Sequence, residues 1–214
     1  MKPRTRFLML SVILPLLFIP SCNDQSEAEI RAIFDDYVAA LRNHNGAAAV
    51  AVVDERYFED MDFTVNAART APREQVYKMR ASERAMIAAI RNRLTKEEMK
   101  SIDARGLMKM MVDKNDTEEG DVPDYEITLG LVKFKPPRAT AEIELADFPT
   151  GLRMEFVQVN NEWKINPGCF DEKFDKAVEK RARLLGVRED SVIRSRESRL
   201  TGKNVTEAIW DPPK

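Results

Sequence analysis

Apolar residues along this chain follow two different rhythms. Through the first half they recur every three or four positions, the spacing that places them on one side of a helix. From about Tyr125 to Ile165 they alternate with polar residues, the spacing of a half-buried strand. Ile30, Ile33, Phe34, Tyr37, Val38 and Leu41 form the first helical stripe. Ser26-Glu27-Ala28-Glu29 has the S-x-x-E spacing that predicts a helix start, and Asn43-His44-Asn45-Gly46 predicts its stop. A short alanine- and valine-rich helix is expected from Ala47 to about Arg56. Pro72 opens a longer helical stretch carrying Val76, Met79, Ala85, Met86, Ala89 and Ile90. Thr95-Lys96-Glu97-Glu98 predicts a fresh N-cap, and Leu107–Val112 a further helical turn. Asn115–Pro123 is acidic, contains Gly120 and Pro123, and reads as an exposed loop.

In the second half Ile127, Leu129 and Leu131 alternate, and Val132 and Phe134 point the other way. Ala139, Ala141, Ile143 and Leu145 alternate strictly with polar residues. Phe148-Pro149-Thr150-Gly151 is expected to turn the chain into a strand with Leu152, Met154 and Phe156 on one face. Asn160-Asn161 reads as a two-residue hairpin turn, because Asn tolerates positive φ. Glu162–Ile165 closes the sheet. Helices followed by an antiparallel meander give an α+β fold. After Pro167-Gly168 a charged helical extension is expected over residues 168–214, with Asp171 capping its first helix and a last turn near Trp210. Lys180-Arg181-Ala182-Arg183 lies there, with Glu172, Asp175 and Glu179 as balancing charges on a solvated face.

The N-terminus adds an address. Lys2, Arg4 and Arg6 precede an apolar run from Phe7 to Ile19, a secretory leader layout too short for a permanent span. Ile19-Pro20-Ser21-Cys22 resembles a bacterial lipobox. That resemblance implies removal of residues 1–21, acylation of Cys22, and a polar tether over residues 22–25. It places the protein at the cell envelope, a lipid anchor holding it to a membrane. Asn23 after the cysteine favours the periplasmic face of the outer membrane in a Gram-negative cell. The alternative is a leader cut elsewhere, with a Cys22–Cys169 disulfide in an oxidising compartment.

The 214-residue chain carries 34 basic and 36 acidic side chains in mixed order. Such a balance argues against a nucleic-acid-binding surface. The single histidine, His44, falls in a turn, so neither a His-based metal cluster nor a His-containing triad is expected. No phosphate-binding glycine motif is present, and no cofactor is expected.

The helix ending in Leu41-Arg42-Asn43-His44-Asn45-Gly46, its alanine-rich follower and the closing Val157-Gln158-Val159-Asn160-Asn161-Glu162-Trp163-Lys164-Ile165 hairpin carry a family likeness. Over residues 26–167 the chain resembles the nuclear transport factor two-like superfamily. The resemblance implies N-terminal helices packed in a curved, cone-forming antiparallel sheet. It also implies a concave pocket, with Phe34, Tyr37, Leu129, Leu131, Ile143, Leu145, Met154, Phe156 and Trp163 as lining candidates. The same residues would serve equally as plain core. Enzymes of that superfamily, such as ketosteroid isomerase and scytalone dehydratase, place a carboxylate, Tyr or His inside the cone. Asp35 and Asp36 lie about 100° apart on a helix and are read as solvated. Asp60 and Asp62, within an aromatic and acidic stretch from Tyr57 to Phe63, are the candidate acids at a pocket mouth. The leading expectation is therefore a non-catalytic envelope lipoprotein binding a small apolar ligand or a protein partner. An acid-using isomerase, dehydratase or hydrolase is one alternative. A structural or assembly factor docking through residues 168–214 is the other.

Overall fold

The computed structural model describes residues 22–114 and 125–213. The leader, residues 1–21, and the Asn115–Pro123 segment lie outside them. The fold is α+β, with a curled antiparallel sheet and helices packed against it.

Helix α1 runs over Cys22–Arg42 and buries Ile30, Phe34, Tyr37 and Val38 along one stripe. The expected tether at 22–25 is thus helical, and Ser26–Glu29 lies inside the helix rather than at its cap. The stop is where the sequence puts it: His44 takes φ 50°, and the Asn45 side chain accepts from Ala48 N to cap α2, Gly46–Ala51. Gly46 is required by proximity. A Cβ there would lie 2.2 Å from the carbonyl oxygen of Lys109.

Helix α3, Glu55–Thr70, occupies the mixed aromatic and acidic stretch that the sequence left without an assigned element. Phe58, Met61, Val65 and Ala68 give it an ordinary buried stripe. The single helix expected from Pro72 is two, α4 at Arg73–Val76 and α5 at Ala81–Arg93. Arg80 ends the break, its N–H donating to Glu83 Oε2 at 2.7 Å. Helix α6, Lys96–Ser101, carries the expected capping box: Thr95 N–H donates to Glu98 Oε2 at 2.7 Å, and Glu98 N–H returns to Thr95 Oγ1 at 3.2 Å. Helix α7 follows at Ala104–Asp113.

The sheet is built on β3, Arg138–Leu145. Strands β1, Ile127–Leu129, and β2, Lys133–Lys135, pair with its two ends. They are one run interrupted at Gly130–Val132, where the alternation changes face. β4, Phe148–Val159, and β5, Glu162–Asn166, complete the meander. Asn160 and Asn161 take φ 51° and 66°, the expected hairpin turn. The preceding turn differs from expectation: Ala146 and Asp147 make it, at φ 47° and 66°, and Phe148–Gly151 begins β4. The register slips between Glu142 and Glu144, and the Gly151 N–H donates to Glu142 Oε1 at 2.9 Å. A parallel bridge from Val53 to Ile165 ties the α2–α3 link to the sheet.

Helices α8, Gly168–Leu185, and α9, Glu189–Thr201, fold back over the first part of the chain. Helix α8 starts ahead of Asp171, so that residue sits inside the first turn instead of capping it. Helix α5 is clasped by α3, α8, α9 and a final 3-10 turn at Glu207–Trp210. Two buried ion pairs join α5 to α9, Arg84 with Asp190 at 2.6 Å and Arg93 with Glu197 at 2.7 Å. Trp210 is fully buried, edge-on to Tyr77 at 6.2 Å. The C-terminal segment is a strap on its own protein.

Candidate functional site

Of the nine lining candidates, Phe34, Tyr37, Leu129, Ile143, Met154, Phe156 and Trp163 are buried together in one continuous core. Leu131 is 73% exposed, in the kink between β1 and β2, and Leu145 is also exposed beside the β3–β4 turn. Those two therefore line no interior. Both fall where the sheet's alternation is lost, at the interruption around Gly130 and beyond the register slip after Glu142.

The concave site lies elsewhere, between α3, the start of α5, the middle of β4, the end of β5 and the start of α8. It is a cleft of about 370 Å³. Helix α3 contributes Arg56, Tyr57 and Asp60, helix α5 contributes Ser82 and Glu83, and β4 contributes Arg153 and Glu155. The β5–α8 junction supplies Asn166, Cys169 and Asp171. The junction is shaped by Asn166, whose Oδ1 accepts from Gly168 N at 3.0 Å and turns the chain into α8. Asp175, one turn further on, accepts from Ser82 N at 2.6 Å and fixes α8 against the start of α5.

Several charges around the cleft are already matched. Arg56 donates to Asp54 at 3.0 Å, and Glu155 accepts from Arg138 at 2.7 Å. The polar groups at its inner end are not matched. Ser82 Oγ is out of solvent and has no hydrogen-bond partner. Among the described residues no hydrogen-bond donor reaches the Asp171 carboxyl, and the Tyr57 hydroxyl makes no hydrogen bond either. Burial lifts Asp171 from its ordinary 3.8 to about 6; Arg80 opposes this, and Asp175 and Glu83 add to it. The Cys169 thiol is pushed up to about 11, chiefly by burial, so it stays protonated at neutral pH and is a poor nucleophile. Burial, then Asp171, Tyr37 and Cys169, raise the Tyr57 phenol. Burial and the neighbouring Cys169 raise Tyr37 likewise. The Asp171 carboxyl, the Tyr57 phenol and the Cys169 thiol thus line one cleft, with the Tyr37 phenol in the core behind it, all neutral or nearly so at mildly acidic pH.

The acids singled out from sequence fall differently. Asp60 is exposed on the cleft rim. Asp62 accepts from Ala104 N at 2.8 Å and so satisfies a first-turn amide of α7, which Asp103 caps, a structural task. Asp35 and Asp36 are solvent-exposed on α1, and His44 sits in the exposed α1–α2 turn. Among the described residues no group of three or more His, Cys, Asp or Glu is arranged to hold a metal ion. Cys169 is a free thiol. Asp171 had only a capping role in the sequence, since nothing local reveals that Tyr57 and Arg80, about a hundred residues earlier, close over it. A second, more open depression at Tyr77, Arg84, Arg188 and Asp190 is lined by charges that pair with each other.

No protein-family model, no curated protein and no solved structure matches the chain.

Proposed function

We propose that the protein is an envelope-anchored binding module whose cleft takes a small polar ligand carrying amine or hydroxyl donors. The observation that carries this reading is Ser82 Oγ, out of solvent without a hydrogen-bond partner, in a cleft that also presents the half-buried Asp171 carboxyl and the Tyr57 hydroxyl, neither of them hydrogen-bonded among the described residues. Buried polar groups without partners are costly, and a ligand that donates to them recovers that cost on binding. The seven buried lining candidates pack against one another, which favours a polar ligand over an apolar one. The leader and Cys22 support the envelope address, and the curled sheet over α1 is compatible with the cone of the nuclear transport factor two-like superfamily.

The test is a thermal-shift panel of small amines, polyols and aliphatic compounds at pH 7.5. The reading expects an amine or polyol to raise the melting temperature of the wild type and to lose its effect on Asp171→Asn and Tyr57→Phe. A response confined to aliphatic compounds, or one indifferent to both substitutions, would reject it.

A second reading is acid–base catalysis in the same cleft. Its support is Asp171, a carboxyl poised near pH 6 beside a neutral phenol, the environment in which a carboxyl exchanges protons near neutrality. It predicts turnover with an acid limb near pH 6 that Asp171→Asn abolishes. The assembly role through residues 168–214 has less support, because α8, α9 and Trp210 are committed to their own fold.

A further inference from the structure

We propose that the end of α8 and its turn into α9, residues 180–188, dock onto the anionic surface of a lipid bilayer. The segment reads Lys180-Arg181-Ala182-Arg183-Leu184-Leu185-Gly186-Val187-Arg188, four cations and no acid. Only Ala182 of these faces the core. Leu184 is 70% exposed, and Leu185 and Val187 are exposed beside it. Gly186, at φ 64°, ends the helix in the left-handed conformation and exposes the three aliphatic side chains at one corner of the protein.

Basic residues suit a helix C-terminus on their own account, because the last carbonyls carry partial negative charge. That accounts for the cations and not for the aliphatic residues among them. Nor do the nearby acids neutralise the corner. Asp175 is turned inward to Ser82 N, Glu172 is paired with Lys176, and Asp190 is buried with Arg84. Glu179 engages Arg183 at 2.6 Å, and Arg188 is held by Asp190 and stacks over Tyr77. Among the described residues Lys180 and Arg181 make no ion pair. Exposed aliphatic side chains beside two unpaired cations, Lys180 and Arg181, are the composition of an interfacial membrane contact: the apolar groups enter the acyl boundary and the long basic chains reach the phosphates. An acidic protein partner would use the cations but would leave Leu184, Leu185 and Val187 without a role.

The inference requires neither acylation of Cys22 nor a ligand in the Asp171 cleft. The experiment therefore uses the full chain with Cys22→Ser and Cys169→Ala, an environment-sensitive fluorophore at Leu185→Cys, and two vesicle types. One is phosphatidylcholine alone; the other contains 30% phosphatidylglycerol. The expected result is a blue shift with the anionic vesicles only, weakened by 0.5 M salt. Adding Lys180→Glu and Arg181→Glu should lower vesicle affinity by at least about 30-fold, from about 1 kcal/mol per basic residue at an anionic surface. Equal response to both vesicles, no response to either, or a response that survives the double charge reversal would overturn the proposal. Background insertion by the leader, with its own Lys2, Arg4 and Arg6, would be the same in every variant, so the loss on charge reversal at Lys180 and Arg181 separates it from the signal of the proposed surface.

Discussion

Replacing Asp171 by asparagine should make the protein more stable, and only above a certain pH. In the folded state the Asp171 carboxyl holds its proton to about pH 6, against 3.8 ordinarily, because burial penalises the charged form. A raised pKa means that folding favours the protonated group. Below about pH 3 the carboxyl is neutral in both states and contributes no penalty. Between about 3 and 6 the unfolded chain ionises while the folded one resists, so stability falls as pH rises, and well above 6 the penalty is constant. About two pKa units correspond to roughly 3 kcal/mol at the limit. Contact with solvent at the cleft reduces this to about 1–2 kcal/mol. Asparagine keeps the shape and cannot ionise. In a protein of this size Asp171→Asn should raise the melting temperature by about 3–6 °C at pH 7.5 and leave it unchanged at pH 3. Calorimetry from pH 3 to pH 8 measures the difference directly. A variant less stable than wild type at pH 7.5, or a gap that does not change with pH, would refute the desolvated carboxyl.

Other substitutions probe the frame that holds the cleft. Glu197→Ala removes a fully buried acid that accepts from Asn92 at 2.8 Å and Arg93 at 2.7 Å, and should cost about 3–5 kcal/mol by urea denaturation. Gly46→Ala drives a methyl group into the α7 backbone at Lys109 and should cost about 2 kcal/mol, with the urea midpoint falling accordingly. Trp210→Ala empties the site beside Tyr77 and should cost about 3–5 kcal/mol; an unchanged melting temperature would mean that the C-terminal strap is not docked in solution. Cys22→Ser in a bacterial host should abolish palmitate incorporation and leave residues 1–21 attached, read as a heavier product by mass spectrometry.

The sequence revealed those elements whose signals are local. Asn160-Asn161 announced its hairpin because two adjacent positive φ angles suit Asn, and Thr95 with Glu98 announced α6 because a capping box satisfies its own amides. Where a misleading local signal competed, it prevailed. Pro149 and Gly151 marked a turn that Ala146 and Asp147 make instead, since alanine gives no turn signal and the β4 bulge absorbs the glycine. Helix α3 was hidden by acids scattered among Tyr57, Phe58 and Phe63, though Phe58, Met61 and Val65 keep helical spacing. The cleft was least legible of all. The two candidate acids sit one on its rim and the other against the first turn of α7. Asp171 owes its character to Tyr57 from α3 and Arg80 at the start of α5, a long-range assembly that no sequence window contains.

The most direct measurement is a carbon-13 NMR titration of the aspartate side-chain carboxyls, wild type against Asp171→Asn. The binding-module account predicts one resonance with a midpoint near pH 6 that disappears in the variant, and that falls toward 4 when an amine selected from the panel saturates the cleft. Aspartates that all titrate below pH 5, or a midpoint near 6 that no amine or polyol moves, would contradict it.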